Sequence, residues 1–293
     1  MDGKNTKGAS RAGLFKKLLI TFLIIDAVAV AFVFALFHLI PGSLYERLLA
    51  GELLQRAGLR YERASFSTAF PMAFRFEGLK LYDRAGGELI AVDSLKAGLS
   101  PFGHPGGLKI SIEGLASGGQ VTGVGRVGFF GSSLEMEARG VGFNAIRALE
   151  RAGVKLDGTF DAMLVSKTDE GCPKGSLKVQ SVEIKSGEFA FRGLPLPIDD
   201  IDEAGLSAEF MDCRVRLDGL WIDGRDLSAR IKGDLKMASP IEASAVDMVL
   251  ELMPNEGLRE KEFLLNLIQQ YRKSTNYYSI QLKGTLGRIE AVN

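Results

Sequence analysis

The residues that could carry chemistry in this chain are few, and their surroundings argue against catalysis. Gly123 to Gly128 match the spacing G-x-G-x-x-G of a dinucleotide-binding loop. Such a loop needs a strand before it and a helix that opens at the third glycine, where the helix N-terminus holds the pyrophosphate. The residues that follow, F-F-G-S-S-L-E-M-E-A-R-G, are typical of a strand. The motif therefore predicts a glycine-rich strand and turn, with no nucleotide bound.

Nucleophilic and metal-assisted chemistry are equally poorly supported. His104 is the only histidine after residue 40, it lies in the turn-like segment P-F-G-H-P-G-G, and the chain has no G-x-S-x-G nucleophile motif. A zinc site would need more histidines and cysteines than the two of each present. Paired acids such as Asp199 and Asp200 are typical of exposed turns. We therefore predict a protein that is not an enzyme and has no cofactor or metal.

The two cysteines are a possible disulfide. Cys172 lies in a predicted loop, G-C-P-K-G, and Cys213 in a predicted strand, M-D-C-R-V-R-L. Outside the cytoplasm, two cysteines are usually bridged or buried. The sequence leaves both possibilities open, a disulfide or two free thiols.

The most informative segment is an apolar run from Leu18 to Ile40. A helix of this length rises about 1.5 Å per residue and spans a hydrocarbon core of about 30 Å. The run exceeds the roughly 7–15 apolar residues of a cleaved signal peptide. Five lysines and arginines but only one acid precede it, so the positive-inside rule places the N-terminus in the cytoplasm. We predict a cytoplasmic tail over 1–17 and an uncleaved transmembrane signal anchor over 18–40.

The remainder of the chain is predicted to lie on the far side of that membrane. Leucines at helical spacing predict a short amphipathic helix over 41–57, and a β-rich domain follows over 58–293. Basic and acidic residues number 36 each, and a zero net charge argues against nucleic acid as a partner. In a bacterium with two membranes, this layout predicts a single-pass inner-membrane protein whose bulk is periplasmic.

Alternation with period two dominates the domain. Ile110 and Ile112 share one face of a predicted strand, opposite Lys109, Ser111 and Glu113. The same alternation recurs, with glycines between the runs, at Leu177 and Val179, Phe189 and Phe191, Val215 and Leu217, and Tyr278 and Ile280. Helices are predicted over Phe143 to Ala152 and Leu258 to Lys273. We predict a mainly β fold, an elongated and curved antiparallel sheet with two or three short helices.

The stretch from Val215 to Leu252 resembles the C-terminal portion of the type II secretion system protein N (GspN) family, and more distantly AsmA-like envelope proteins. F-P-M-A-F-R-F-E-G-L-K-L near residue 75 and the closing Y-S-I-Q-L-K-G-T-L-G add to the likeness. The resemblance implies a bitopic inner-membrane protein, accessory to the secretion of folded proteins. It also implies a curved sheet with an apolar inner face, but no catalytic residues.

Two functions follow as hypotheses. The first is a non-enzymatic scaffold or assembly component of type II secretion, whose partners are other inner-membrane subunits that pair with its strand edges. The second is an AsmA-like protein that binds or transfers lipid, with acyl chains held in an apolar groove. The candidate groove residues are Phe189, Phe191, Val215 and Leu217, because they alternate with charged neighbours.

Overall fold

The computed structural model describes residues 35, 37–104, 107–128, 131–151, 154–168, 172–191, 194–196, 201–238, 243–255, 266, 268–286 and 288–292. Most of the predicted anchor, residues 18–34 and 36, lies outside these ranges, as does the predicted cytoplasmic tail over 1–17. Within the described ranges, no helix combines the length and the apolar character needed to cross a membrane.

Strands make up most of the described chain. In chain order they are β1 Arg60–Glu62, β2 Ser65–Ala69, β3 Ala73–Tyr82, β4 Glu88–His104, β5 Gly107–Ala116, β6 Gly119–Gly128, β7 Gly131–Gly142, β8 Val154–Thr168, β9 Lys174–Phe191, β10 Leu194–Leu196, β11 Ile201–Met211, β12 Arg214–Gly224, β13 Leu227–Lys236, β14 Ala245–Pro254, β15 Arg272–Ser274, β16 Tyr277–Thr285 and β17 Arg288–Val292. The predicted mainly β fold is confirmed.

These strands form one large curved antiparallel sheet with a nearly sequential order. From β3 to β9 each strand pairs with the next. The 18-residue β9 is long enough to pair with both β10 and β11, after which the order continues through β12, β13, β14, β16 and β17. Both β1 and β2 pair with β3, and β15 pairs with β16. Because neighbours in sequence are neighbours in space, the sheet is long and contains few crossovers.

The sequence motif at Gly123 to Gly128 lies inside β6 and is followed by β7. The predicted glycine-rich strand is therefore confirmed, and no helix opens at the third glycine.

The described helices are short. Helix α1 spans Gly42–Glu52 and continues as a π-helical turn over Leu53–Ala57, which ends at Gly58 in the left-handed conformation with φ +66°. A 3₁₀ turn over Phe143–Ala145 precedes helix α2, Arg147–Arg151. The single helix predicted over Phe143 to Ala152 is wrong in this respect, because Ile146 leaves the helical region at ψ 81°.

The helix predicted over Leu258 to Lys273 is wrong at its C-terminal end. Its residues 258–265 and 267 lie outside the described ranges, while a 3₁₀ turn covers Gln269–Tyr271. Arg272 and Lys273 then belong to β15, which folds back on β16 with Arg272 opposite Tyr278. Hairpin pairing therefore prevails over the helical pattern in this segment.

Candidate functional site

The register of the sheet brings apolar residues into one row that crosses thirteen strands. Directly paired residues of antiparallel strands point to the same face. Starting at Phe66 on β2 and following each backbone pair across the sheet, every member of this central row is apolar or glycine. The central row consists of Phe66, Phe76, Leu95, Gly114, Val121, Ala138, Ala162, Val179, Leu206, Leu220, Ile231, Leu250 and Ile280.

Two parallel rows extend this surface on the same face. The second row consists of Phe74, Ala97, Ile112, Gly123, Met136, Leu164, Leu177, Ala208, Leu217, Gly233, Met248, Leu282 and Ala291. The third row consists of Leu99, Ile110, Gly125, Leu134, Ser166, Gly175, Phe210, Val215, Leu235, Val246, Gly284 and Ile289. Ser166 is the single polar member of the three rows, which together we call the apolar face.

The opposite surface, the polar face, carries the charges. Ion pairs join neighbouring strands there, with 3.7 Å between Lys96 Nζ and Glu113 Oε2 and 3.2 Å between Arg126 Nη1 and Glu135 Oε1. These pairs are solvent-exposed and contribute little to stability. Their position shows that the sheet is amphipathic, with water on one side and apolar side chains on the other.

The apolar face is covered near its N-terminal end and near its middle. Tyr45 and Leu49 of α1 pack with Phe37 against Phe74 and its neighbours over β2–β4. Phe143 of the 3₁₀ turn packs onto Phe160, and Ala138, Ala162 and Val179 of the central row pack against the cluster that these two rings form with Ala116, Val141 and Ala145.

Over β12 and β13 the described part of the chain supplies no second layer, whereas Val246 of β14 and Ile280 of β16 are buried. Leu220 on β12 remains 38% exposed, while Ile231 and Leu250 are half-buried. Where its apolar side chains are only half-buried, as over β12 and β13, the sheet leaves apolar surface available to a ligand or a partner.

The sequence-based groove residues are placed only in part. Leu217 belongs to the second row, between Ala208 and Gly233, and Val215 belongs to the third row, between Phe210 and Leu235. Phe189 and Phe191 lie in β9, where their backbones pair with Leu196 and Leu194; their side chains lie outside the described part of the structure. The structure thus brings Val215 and Leu217 together on the apolar face.

Sequence reasoning missed the small residues that make this face continuous. Gly114, Gly123 and Gly125 stand in rows of large apolar residues, and alternation alone assigns them only to turns and bends. The signal that would reveal them is the pairing register, in which Ile110 and Leu134 flank Gly125. An ideal Cβ on Gly125 would meet the Ile110 Cβ at 3.6 Å, which is ordinary contact, so the site has room above it.

The cysteines form a disulfide that ties two turns together. Cys172, just before β9, is bonded to Cys213, with 5.1 Å between the Cα atoms. Cys213 lies in the turn between β11 and β12 with φ +62°, so its predicted strand assignment is wrong. The bond joins the start of β9 to the end of β11, next to the pair of Gly175 with Phe210, whereas β10 pairs with the other end of β9.

A cavity of about 390 Å³ lies over the middle strands. Its lining includes Glu137, Lys178 and Trp221, and the register places all three side chains on the polar face. The Trp221 ring lies on Gly205, where any Cβ would overlap the ring. Ala138, Ala162, Val179 and Leu206, all members of the central row, also line this cavity.

A hydrogen-bonded group on the polar face connects β13, β14 and β16. Lys232 Nζ lies 2.7 Å from Glu251 Oε1, and the Tyr277 hydroxyl donates to the same oxygen at 2.9 Å. The hydrogen bond from Lys232 holds the pKa of Glu251 below its ordinary value, and Glu251 in turn raises the pKa of Tyr277. These contacts bind strands to one another and do not point at a reaction site.

Comparison of the chain with family models, with curated proteins and with solved structures finds no match.

Proposed function

We propose that this protein is a non-enzymatic, membrane-anchored lipid-binding protein of the bacterial envelope, which holds acyl chains on its apolar face. The observation that supports this proposal is the continuity of the three rows, which cross the sheet with one polar side chain. A protein-binding surface of this size normally carries polar groups that fix the partner's position. An acyl chain has no polar group along its length and fits an uninterrupted apolar surface.

The dimensions favour transfer of lipid along the sheet. Neighbouring strands lie about 4.8 Å apart, so twelve steps from β2 to β16 extend roughly 58 Å. That is longer than one acyl chain, and each buried methylene contributes about 0.8 kcal/mol. An acyl chain can therefore lie on the parts of the face that α1 and the 3₁₀ turn leave uncovered, such as the part over β12 and β13.

The test is a pair of charge substitutions on adjacent residues of β9. Leu177 belongs to the second row, and Lys178 lies on the polar face opposite Met163 and Ser207. Protein purified from native membranes should carry phospholipid that mass spectrometry detects. Leu177→Asp should reduce the bound lipid several-fold, because a carboxylate repels apolar contacts.

Lys178→Asp is the matched control, with a new carboxylate on the same strand and the opposite face. It should leave the bound lipid unchanged. Equal lipid in both folded variants, or none in the wild type, would contradict the lipid proposal.

A second candidate function, a scaffold component of type II secretion, is favoured by the edge strand β17. All five of its residues are exposed, and among the described strands it pairs only with β16. An unpaired edge is a template for strand addition by a partner. In that function, crosslinking in native membranes should join β17 to inner-membrane secretion subunits. Crosslinks confined to other surfaces, with lipid bound as above, would favour the lipid proposal alone.

A further inference from the structure

We propose that the turn between β2 and β3 contacts the membrane and holds the first strands of the sheet at the lipid surface. Phe70 forms the tip of this turn, followed by Pro71, and its side chain is 83% exposed. Single exposed apolar residues are normal on protein surfaces. Phe70 differs from such residues because another exposed apolar residue, Leu39, and the end of the predicted anchor lie close to it.

The tip lies beside the end of the predicted anchor. His38 Nε2 donates to the Pro71 carbonyl oxygen at 3.1 Å, and the His38 and Phe70 rings are nearly parallel, with centroids 6.4 Å apart. Leu39, the next residue, is 77% exposed. The β2–β3 turn and the last residues of the anchor therefore form one exposed apolar surface.

The predicted anchor sets the depth of this surface. The predicted anchor, as a helix from Leu18 to His38, would rise roughly 30 Å and so match the thickness of the hydrocarbon core. In that arrangement His38 lies at the far boundary of the core, and the Phe70 ring, 6.4 Å from the His38 ring, lies close to the same level. Phe and Leu side chains of interfacial segments insert at this boundary, between the headgroups and the acyl chains.

Helix α1 extends the same surface along the chain. Tyr45 and Leu49 face the sheet, whereas Leu44 and Leu48, one turn apart on another side of the helix, are 48% and 68% exposed. The occupant of this surface is a lipid bilayer, because the chain that precedes Phe37 contains the predicted membrane span and runs directly into it.

With the β2–β3 turn at the membrane, an acyl chain can pass from the bilayer onto the apolar face at its N-terminal end. This part of the inference rests on the proposed lipid function. Phe74 and Phe76 stand at the N-terminal end of the apolar face, next to the β2–β3 turn, and are buried beneath Phe37 and α1. With that turn at the lipid surface, an acyl chain leaving the bilayer meets the face beside α1. Strands β12 to β16 then lie at the far end of the path.

The experiment places a photoreactive benzoylphenylalanine at one position of the full chain, reconstituted in vesicles of phosphatidylethanolamine and phosphatidylglycerol with a traceable phospholipid. Phe70 is replaced in the test variant. Met163, which is 58% exposed on the polar face, is replaced in the matched control. Leu177 is replaced in a third variant that reports lipid on the apolar face.

We expect illumination to label the Phe70 variant with phospholipid several-fold more than the Met163 variant. Equal labelling at the two positions overturns the proposal, as does a full chain that does not sediment with the vesicles. Labelling at position 70 without labelling at 177 supports membrane contact and contradicts the lipid function. Labelling at 177 without labelling at 70 overturns membrane contact and leaves the lipid function supported.

Discussion

Gly125 offers a direct way to obstruct the apolar face without disturbing the sheet. It is flanked in the third row by Ile110 and Leu134, and an ideal Cβ would meet Leu134 Cδ1 at 3.9 Å. Its backbone conformation is one that any residue can adopt, since its φ is not positive. A leucine at this position therefore projects from the sheet into the space that we assign to an acyl chain.

The expected loss of affinity follows from the methylenes that the new side chain displaces. A leucine side chain has four carbon atoms and fills the space of about four methylene groups; each contributes about 0.8 kcal/mol, so binding weakens by about 3 kcal/mol. At 1.4 kcal/mol per tenfold, Gly125→Leu should weaken binding roughly 150-fold. The assay is an equilibrium titration of the purified full chain with a fluorescent-acyl phospholipid.

Two controls separate obstruction from misfolding. Gly125→Ala should bind lipid nearly as well as the wild type and gain about 0.4–1 kcal/mol of stability, because alanine restricts the unfolded chain. Val124→Leu enlarges the neighbouring side chain on the polar face, opposite Ser111 and Glu135, and should not change binding. If folded Gly125→Leu binds as tightly as the wild type, no acyl chain lies over this part of the face.

Three further predictions test the fold that supports the face. Gly233→Ala should lower the free energy of unfolding by about 2–5 kcal/mol in chemical denaturation, because the φ of Gly233 is +143° and the new Cβ would lie 2.6 Å from Met248 Cα. An unchanged denaturation midpoint would refute the pairing of Gly233 with Met248. Replacing Cys172 and Cys213 by serine should cost about 3–4 kcal/mol by loop entropy, and reductant should cost the wild type the same amount and the double variant nothing. Because the pKa of Glu251 is lowered in the folded state, its ionised form stabilises the fold above the ordinary glutamate pKa, and this stabilisation disappears as pH falls through the folded pKa. Glu251→Gln should therefore lose less stability than the wild type on acidification, which chemical denaturation at several pH values measures. Parallel pH profiles of the two proteins would count against the Lys232 contact.

The fold class could be predicted from the sequence because alternation is a local signal. Ile110 and Ile112 alternate with polar residues whatever their strand partners are, and the structure places them in β5 with that alternation intact. Short helices were harder to predict. The helical spacing near Tyr271 is real, but pairing of Arg272 with Tyr278 across a hairpin is a non-local contact that no local pattern contains.

The candidate site could be predicted only where its residues are large. Val215 and Leu217 were found from alternation, whereas Gly125 and Ala162 belong to the same face through register alone. Register depends on turn geometry and on bulges such as the one between Ser207 and Ala208, and a one-residue slip would move every side chain to the other face. The continuity of the apolar face is thus a property of the assembled sheet.

The half-buried apolar side chains that make this sheet suitable for binding lipid also limit the stability of the fold without a ligand. Leu220 and Ile231, on β12 and β13, receive no second layer from the described chain, so each retains contact with water that burial would remove. A ligand that binds only the folded sheet adds RT ln(1 + [L]/Kd) to its stability. Acyl chains on the apolar face therefore supply part of the apolar contact that a second sheet would provide in a sandwich, and binding and folding depend on the same rows of residues.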